Sequence, residues 1–218
     1  MGIFSTALPP VVAWLAILAA AVLLWREVGS RDWQALTLPG EFSAWCFSII
    51  LLPLVWSCAV SINRELPLHL LGTPLFVLIF GRTLGMAGIA ISVAAYTALQ
   101  DGLWSNLGVN VLLVAALPAW CADLVLRTTR RYLPHHLFVY LFGNGFFGTM
   151  LMLVAIDLIS LAARLLLVAS PIGADMVAYM LLLAWGETLL TGLLLTGFTV
   201  YRPQWVLTYD EAEYLNYK

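Results

Sequence analysis

Positive charge is scarce in this sequence and lysine is nearly missing from it. A single lysine, Lys218, accompanies nine arginines, and charged residues make up only 10% of the 218, where a soluble domain carries about a quarter. With a net charge of -2 no basic face is left to hold nucleic acid or a strongly anionic partner. Cysteine is scarce as well. Cys46, Cys58 and Cys121 are widely spaced in apolar runs, which excludes a disulfide framework and a C-x-x-C metal site. There is no G-x-x-x-x-G-K-[ST] phosphate loop, so the chain binds no nucleotide by that route. Neither a G-x-S-x-G elbow nor an H-E-x-x-H pair occurs, so no hydrolase site is recognisable and the chain reads as a non-enzyme.

What is present is apolar, at 62% hydrophobic residues. About 20 apolar residues in a helix cross the 30 Å hydrocarbon core of a bilayer. On that measure the sequence predicts an all-α, polytopic membrane bundle of about seven helices over 9–25, 42–62, 67–80, 84–99, 102–126, 135–170 and 176–200. Pro53 is expected to kink the second. The run 66–99 is too long for one span and too short for two full ones. Arg82, between Gly81 and Gly85, belongs at a membrane edge, so the run divides there into two short helices. The amino terminus has no positive n-region and no small-residue cleavage site, and reads as a retained first span.

Seven crossings put the termini on opposite sides. With the amino terminus outside, Arg26, Arg31, Arg82, Arg127, Arg130, Arg131, Arg202 and Lys218 are cytoplasmic. Only Arg64 stays in an outer loop and Arg164 lies within a helix, which is the bias of the positive-inside rule. No repeat or linker divides the chain. It reads as one transmembrane domain, 1–218, with a short cytoplasmic tail, 202–218, in an inner membrane of bacterial type.

Few polar residues interrupt the apolar runs. In "LPLHLLGTPLFVLIFG" (66–81) a lone histidine, His69, falls at the outer end of the third span, on the side of the amino terminus and of the loop "LQDGLWSNLGVN". It is either an interfacial histidine hydrogen-bonded at a helix end or an imidazole ligand, with the free amine of the flexible terminus as a second nitrogen donor. Asp157 and Glu187 lie near the middles of the last two spans, where ionisable groups are costly. They mark a cation path, or else they form a structural ion pair with Arg164. At equal distances from the turn near 171–173, they are expected at equal depth. Met150, Met152, Met176 and Met180 read as gap-filling side chains rather than thioether ligands. His135 and His136 open the sixth span on the inner side, as caps or as a separate inner-side ligand.

"LHLLGTPLFVLIFGRTLGM", followed after one helix by "LQDGLWSNLGVNVLL", resembles the permease of energy-coupling-factor cobalt and nickel transporters, the CbiM/NikM family. The opening "MGIFSTALPP" falls where such permeases begin. "LPHHLFVYLFGNGFF" resembles the start of the sixth span in the shorter CbiM-like membrane proteins, which makes His136 the better inner-side candidate. The resemblance implies a substrate-binding component for a divalent transition metal, cobalt or nickel ahead of copper or zinc, with separate coupling-subunit and ATPase partners. The rival readings are a solitary metal-holding or assembly protein and a structural subunit. The resemblance also implies a square-planar site of four nitrogens, made by the first residue's amine, the amide and imidazole of a second-position histidine, and a helix-end imidazole. Met1 and His69 match, and Asn110 matches the asparagine that supports the N-terminal segment. The second position departs from the pattern. Gly2 offers an amide but no imidazole, and a methionine before glycine is of the kind usually trimmed, which would move the amine to Gly2. Thr73, Asp101 and Asn106 are the nearest replacement donors. Ala16 and Ala20 form a small-x-x-x-small pair, which the resemblance turns toward the coupling subunit.

Overall fold

The computed structural model describes residues 4, 7–29, 34, 36, 39–58, 60–63, 66–68, 70–168 and 174–214. Helix α1 (Pro10–Val28) opens with a proline in its first turn and carries Arg26 in its last, the asymmetry that suits the orphan amides and the dipole of a helix. Helix α2 (Pro39–Ser57) runs on through Pro53. It ends at Ser57 rather than at residue 62, because a hairpin follows. Strand β1 (Val60–Asn63) pairs antiparallel with β2 (Leu66–Leu68), Val60 opposite Leu68. The third helix therefore begins at Thr73 and not at residue 67. Pro67 gives no amide to a helix interior, and the β-branched Val60 and Ile62 favour the extended chain.

Helix α3 (Thr73–Leu99) is folded on itself. Its backbone leaves helical angles at Gly81, φ 78° and ψ 179°, a region essentially restricted to glycine. Beyond it the chain reverses. A Cβ on Gly85 would lie 3.1 Å from the Cα of Val77, and one on Gly88 2.6 Å from the Phe76 ring, whereas residues eight apart in a straight helix are about 12 Å apart. The two limbs, 73–80 and 82–99, are thus an antiparallel pair with Gly81 at the bend and Arg82 beside it. This is the division expected from the sequence.

A long rod follows, made of a turn at Trp104–Asn106, α4 (Leu107–Val111), a widened π turn at Leu112–Ala116 and α5 (Leu117–Tyr132). Pro118 lacks an amide and crowds the carbonyl four residues back, which the wider turn accommodates. Helix α6 (Leu137–Tyr140) passes through a second π segment, Leu141–Gly148, into α7 (Thr149–Val168). There the Asn144 amide donates to the Tyr140 carbonyl at 3.2 Å, and the Thr149 hydroxyl donates to the Asn144 carbonyl at 3.1 Å, so the loosened backbone keeps its partners. Helix α8 (Ala174–Tyr201), a turn at Pro203–Trp205 and α9 (Glu211–Tyr214) complete the described chain.

Six helices among the described residues are long and apolar enough to cross a membrane, and the doubled α3 contributes two limbs. The protein is an all-α, polytopic membrane bundle. Helix α3 is its centre and packs on α1, α2, α4, α5, α7 and α8. Helices α1 and α2 turn Trp14, Leu18, Trp25, Phe47 and Ile50 outward, as lipid-facing surfaces do.

The two ends of the bundle are chemically distinct. At one, the amino end, Phe4 meets Asn106 and Asn110, and Gln100 reaches Ser57. At the other, the tail end, Arg82 bridges Glu27 at 3.4 Å and Asp123 at 3.3 Å, and Arg127 reaches Asp123 at 2.9 Å. The C-terminal tail closes that end. Leu207 donates its amide to the Ile79 carbonyl at 2.7 Å and Thr208 its hydroxyl to the Leu78 carbonyl. Arg130 holds the Thr208 carbonyl at 2.8 Å and the Tyr214 hydroxyl at 3.3 Å, while Tyr209 and Tyr214 stack 5.5 Å apart. Burial raises the pKa of both phenols, so they stay neutral at physiological pH. Asn106 and Arg130 lie on one rod, separated by about 36 Å at 1.5 Å per residue.

Candidate functional site

Two anchors converge on the interior from the amino-end half of the bundle. The first holds the N-terminal segment. Phe4 donates its amide to the Asn110 side-chain oxygen at 2.7 Å, and its carbonyl accepts from Asn106 at 3.1 Å and Asn110 at 3.4 Å. Its ring is 2% exposed, and the Arg164 guanidinium stands 5.0 Å from its centroid, a cation–π contact. Asn106 and Asn110 share a face of the rod at i, i+4, and Gly108 between them lets that face approach. A Cβ there would lie 2.3 Å from the Ile17 nitrogen and 2.5 Å from the Ala16 carbonyl carbon, so only glycine permits α1 and α4 to touch backbone to backbone.

The second anchor holds the corner before α3. Gly72 is left-handed, φ 67°, and caps the helix with no side chain of its own, leaving orphan amides at the limb's start. Glu187, reaching from α8, holds the corner that leads into it. Its carboxylate accepts the Leu71 amide at 2.7 Å and the Gly72 amide at 2.8 Å. The indole of fully buried Trp56 donates to the Leu71 carbonyl at 2.8 Å. The backbone two and three residues after His69 is therefore fixed from α8 and α2.

Of the candidate ligands, Met1, Gly2 and His69 lie outside the described residues. Asn106 and Asn110 are committed to Phe4. Asp101 is exposed with φ 47° at the turn after α3, away from the interior. Thr73 is fully buried and its hydroxyl has no hydrogen-bond partner among the described residues. No group of three or more His, Cys, Asp or Glu side chains gathers among the described residues.

The two membrane acids part company. Glu187 holds the corner before α3, whereas Asp157 is 7% exposed and neither carboxylate oxygen has a hydrogen-bond partner among the described residues. No ion pair among the described residues joins Arg164 to either acid, since Arg164 covers Phe4 instead. They also differ in depth. Leu161 packs on Met180, and Thr188 reaches the Met150 sulfur at 3.7 Å. That pairing puts Asp157 level with about residue 183 and Glu187 about one turn nearer the tail end, so the expected equal depth is corrected by the stagger of α7 against α8.

Other candidates have local roles. His136 caps α6, its Nδ1 accepting the Phe138 amide at 3.2 Å, and His135 pairs with Glu213 at 3.3 Å. Ala16 and Ala20 are 8% and 5% exposed. They lie buried within this chain, Ala16 against Gly108, so the small pair seats α1 on its own bundle. Met152 and Met180 are buried packing residues. Sequence reasoning missed the hold of Glu187 on the corner before α3, and the signal for it was the glycine before Thr73-Pro74, which leaves that helix without a capping side chain.

A family model described as CbiM, cobalt uptake substrate-specific transmembrane region, matches residues 3–205. No curated protein and no solved structure matches the chain.

Proposed function

This chain belongs to the CbiM family of cobalt-uptake transmembrane components, and from that premise we propose that it is the substrate-binding permease of an energy-coupling-factor transporter for a divalent transition metal. Cobalt is its first cargo and nickel its second. The amino end faces outward, and cargo enters between the N-terminal segment and the His69 corner. The α-amine at Met1 or Gly2, the Gly2 amide and the His69 imidazole supply nitrogen donors suited to such a metal, with Asn106 and Asn110 as their support. The observation that carries the reading is the double clamp on Phe4. It fixes a segment that lies outside regular secondary structure ahead of α1 by three hydrogen bonds from one face of the rod. Coupling and ATPase subunits, separate chains in this reading, drive release to the cytoplasm.

The test is metal content of the purified chain after incubation with cobalt or nickel. His69→Ala and a two-residue extension before Met1 are each expected to lose most of the bound metal at unchanged folded yield. Wild-type metal content in both variants refutes the site. Uptake in cells that requires co-expressed coupling and ATPase subunits supports the transporter reading over a solitary metal-holding protein.

A further inference from the structure

The tail end of the bundle holds a cavity that none of the roles above uses. Its volume is about 360 Å³, within the range of about 300–1,000 Å³ usual for ligand sites. Three stretches of chain wall it. The bend of α3 gives Arg82, the last turns of α5 give Asp123, Arg127 and Arg130, and the tail gives Thr208. Asp123, Arg127 and Arg130 recur at i, i+4 and i+7 and so share one helix face. Three guanidiniums against one carboxylate leave the lining with a net charge of +2.

The acids around this cavity are thinly shared. One Asp123 oxygen serves both Arg82, at 3.3 Å, and Arg127, at 2.9 Å. One Glu27 oxygen is divided between Arg82, at 3.4 Å, and the Thr83 hydroxyl, at 2.9 Å. Glu213 stands 3.7 Å from Arg130, whose short bond goes to the Thr208 carbonyl at 2.8 Å. Well-formed bonds between charged partners measure about 2.7–2.9 Å, so the pairs of Arg82 and the Arg130–Glu213 pair are loose. The Arg82 Nε is moreover buried with no hydrogen-bond partner among the described residues. A cationic lining with an unused donor suits an anion that accepts several bonds at once, and a phosphate does so.

The adjoining surface says what carries that phosphate. Trp120 and Leu124 are 42% and 66% exposed and precede Arg127 on α5 at i, i+4 and i+7. The Arg127 side chain is itself 68% exposed. An outward apolar strip thus runs along the span and ends, about one turn later, at a basic rim. Hydrocarbon followed by phosphate is the order of groups along a phospholipid. Within the cavity Phe80, Leu84 and Leu126 offer a free phosphate ion no hydrogen bond, whereas they suit the first methylenes of a lipid. In the orientation proposed above this end lies in the cytoplasmic leaflet, whose surface is rich in anionic lipid. The lining does not depend on that orientation.

We propose that this cavity binds the headgroup phosphate of an anionic phospholipid. The phosphate sits among Arg82, Arg127 and Arg130, and the acyl chains follow Leu124 and Trp120. Bound there, the lipid ties the bend of α3 to the rod and the tail, whatever the cargo.

The full chain, purified in detergent, is exchanged with phosphatidylglycerol and phosphatidylcholine of the same acyl chains, and bound lipid is counted by native mass spectrometry. Each net positive charge near the headgroup is worth about fivefold in affinity, so the wild-type chain should prefer phosphatidylglycerol about 25-fold. Arg127→Gln should cut that preference about fivefold at an unchanged melting temperature. Asp123→Asn leaves three guanidiniums and no carboxylate in the lining and should raise the preference about fivefold. That gain comes although two ion pairs are lost, and a merely structural charge cluster does not give it. Equal binding of the two lipids by the wild-type chain overturns the proposal, and so does a wild-type preference in either variant. Arg127→Gln decides the matter if the asparagine variant fails to fold. Inorganic phosphate that displaces phosphatidylglycerol at equal concentration makes the occupant a soluble anion and overturns the lipid assignment.

Discussion

Replacing Glu187 by alanine removes the carboxylate that holds the corner leading into the 73–80 limb. Its carboxylate accepts one buried and one partly buried backbone amide, at 2.7 and 2.8 Å. Each buried amide left without a partner costs about 1–3 kcal/mol, so the pair amounts to about 2–6 kcal/mol. A groove of about 160 Å³ lined by Glu187, Gly72, Thr191 and Leu52 adjoins the site and has room for water, which favours the lower half of that range. Glu187→Gln keeps one carbonyl acceptor but turns its amide donors toward an N–H, so about half the loss is expected. Denaturant unfolding of the detergent-solubilised chain, with exposed Asp175→Asn as control, reads the difference. If Glu187 is a station on a cation path and does not hold the corner, both variants unfold like wild type while transport falls. That result refutes the argument.

Gly108→Ala places a methyl 2.3 Å from the Ile17 nitrogen, where backbone cannot yield cheaply. It should push α1 from α4, slacken the clamp on Phe4 and lower both folded yield and metal content, and a wild-type melting curve would refute this. Thr208→Val removes the hydroxyl that joins Leu78 and Tyr140, so the tail should become sensitive to protease while the membrane core stays intact. Single cysteines in a chain lacking Cys46, Cys58 and Cys121 test orientation. Position 101 should react with an impermeant reagent from outside and position 130 should not, and the reverse pattern inverts the proposed topology.

The crossing pattern was legible because the hydrocarbon core demands runs of a fixed length, and Arg82 marked the one place where a run had to turn. Glycine beside that arginine supplied the bend. The hairpin 60–68 was not legible from hydropathy, since Val60, Ile62, Leu66 and Leu68 are as apolar as their helical neighbours and only pairing makes them strands. Glu187 was conspicuous as a buried acid, but its partners are backbone amides 115 and 116 residues away, and no local pattern announces an acceptor for a backbone group. Ala16 and Ala20 showed that a close helix contact exists, yet small residues do not say whether the partner helix belongs to the same chain. Gly108 answers that only once α1 and α4 are side by side.

The 73–80 limb could not stand on its own sequence. At eight residues it is below the length at which an isolated helix is stable, and it has a glycine before it and a glycine after it in place of capping side chains. The amides of the corner before it, Leu71 and Gly72, are held by Glu187 of α8, and its orphan carbonyls, Leu78 and Ile79, by Thr208 and Leu207 of the tail. Helix α8 and the tail are continuous chain, so one C-terminal segment grips the limb at both ends. The lower grip lies just beyond the family match, which stops at residue 205. The residues just after His69 therefore take their position from a side chain more than a hundred places later, and the limb's end groups find these partners only where α8 and the tail pack against it.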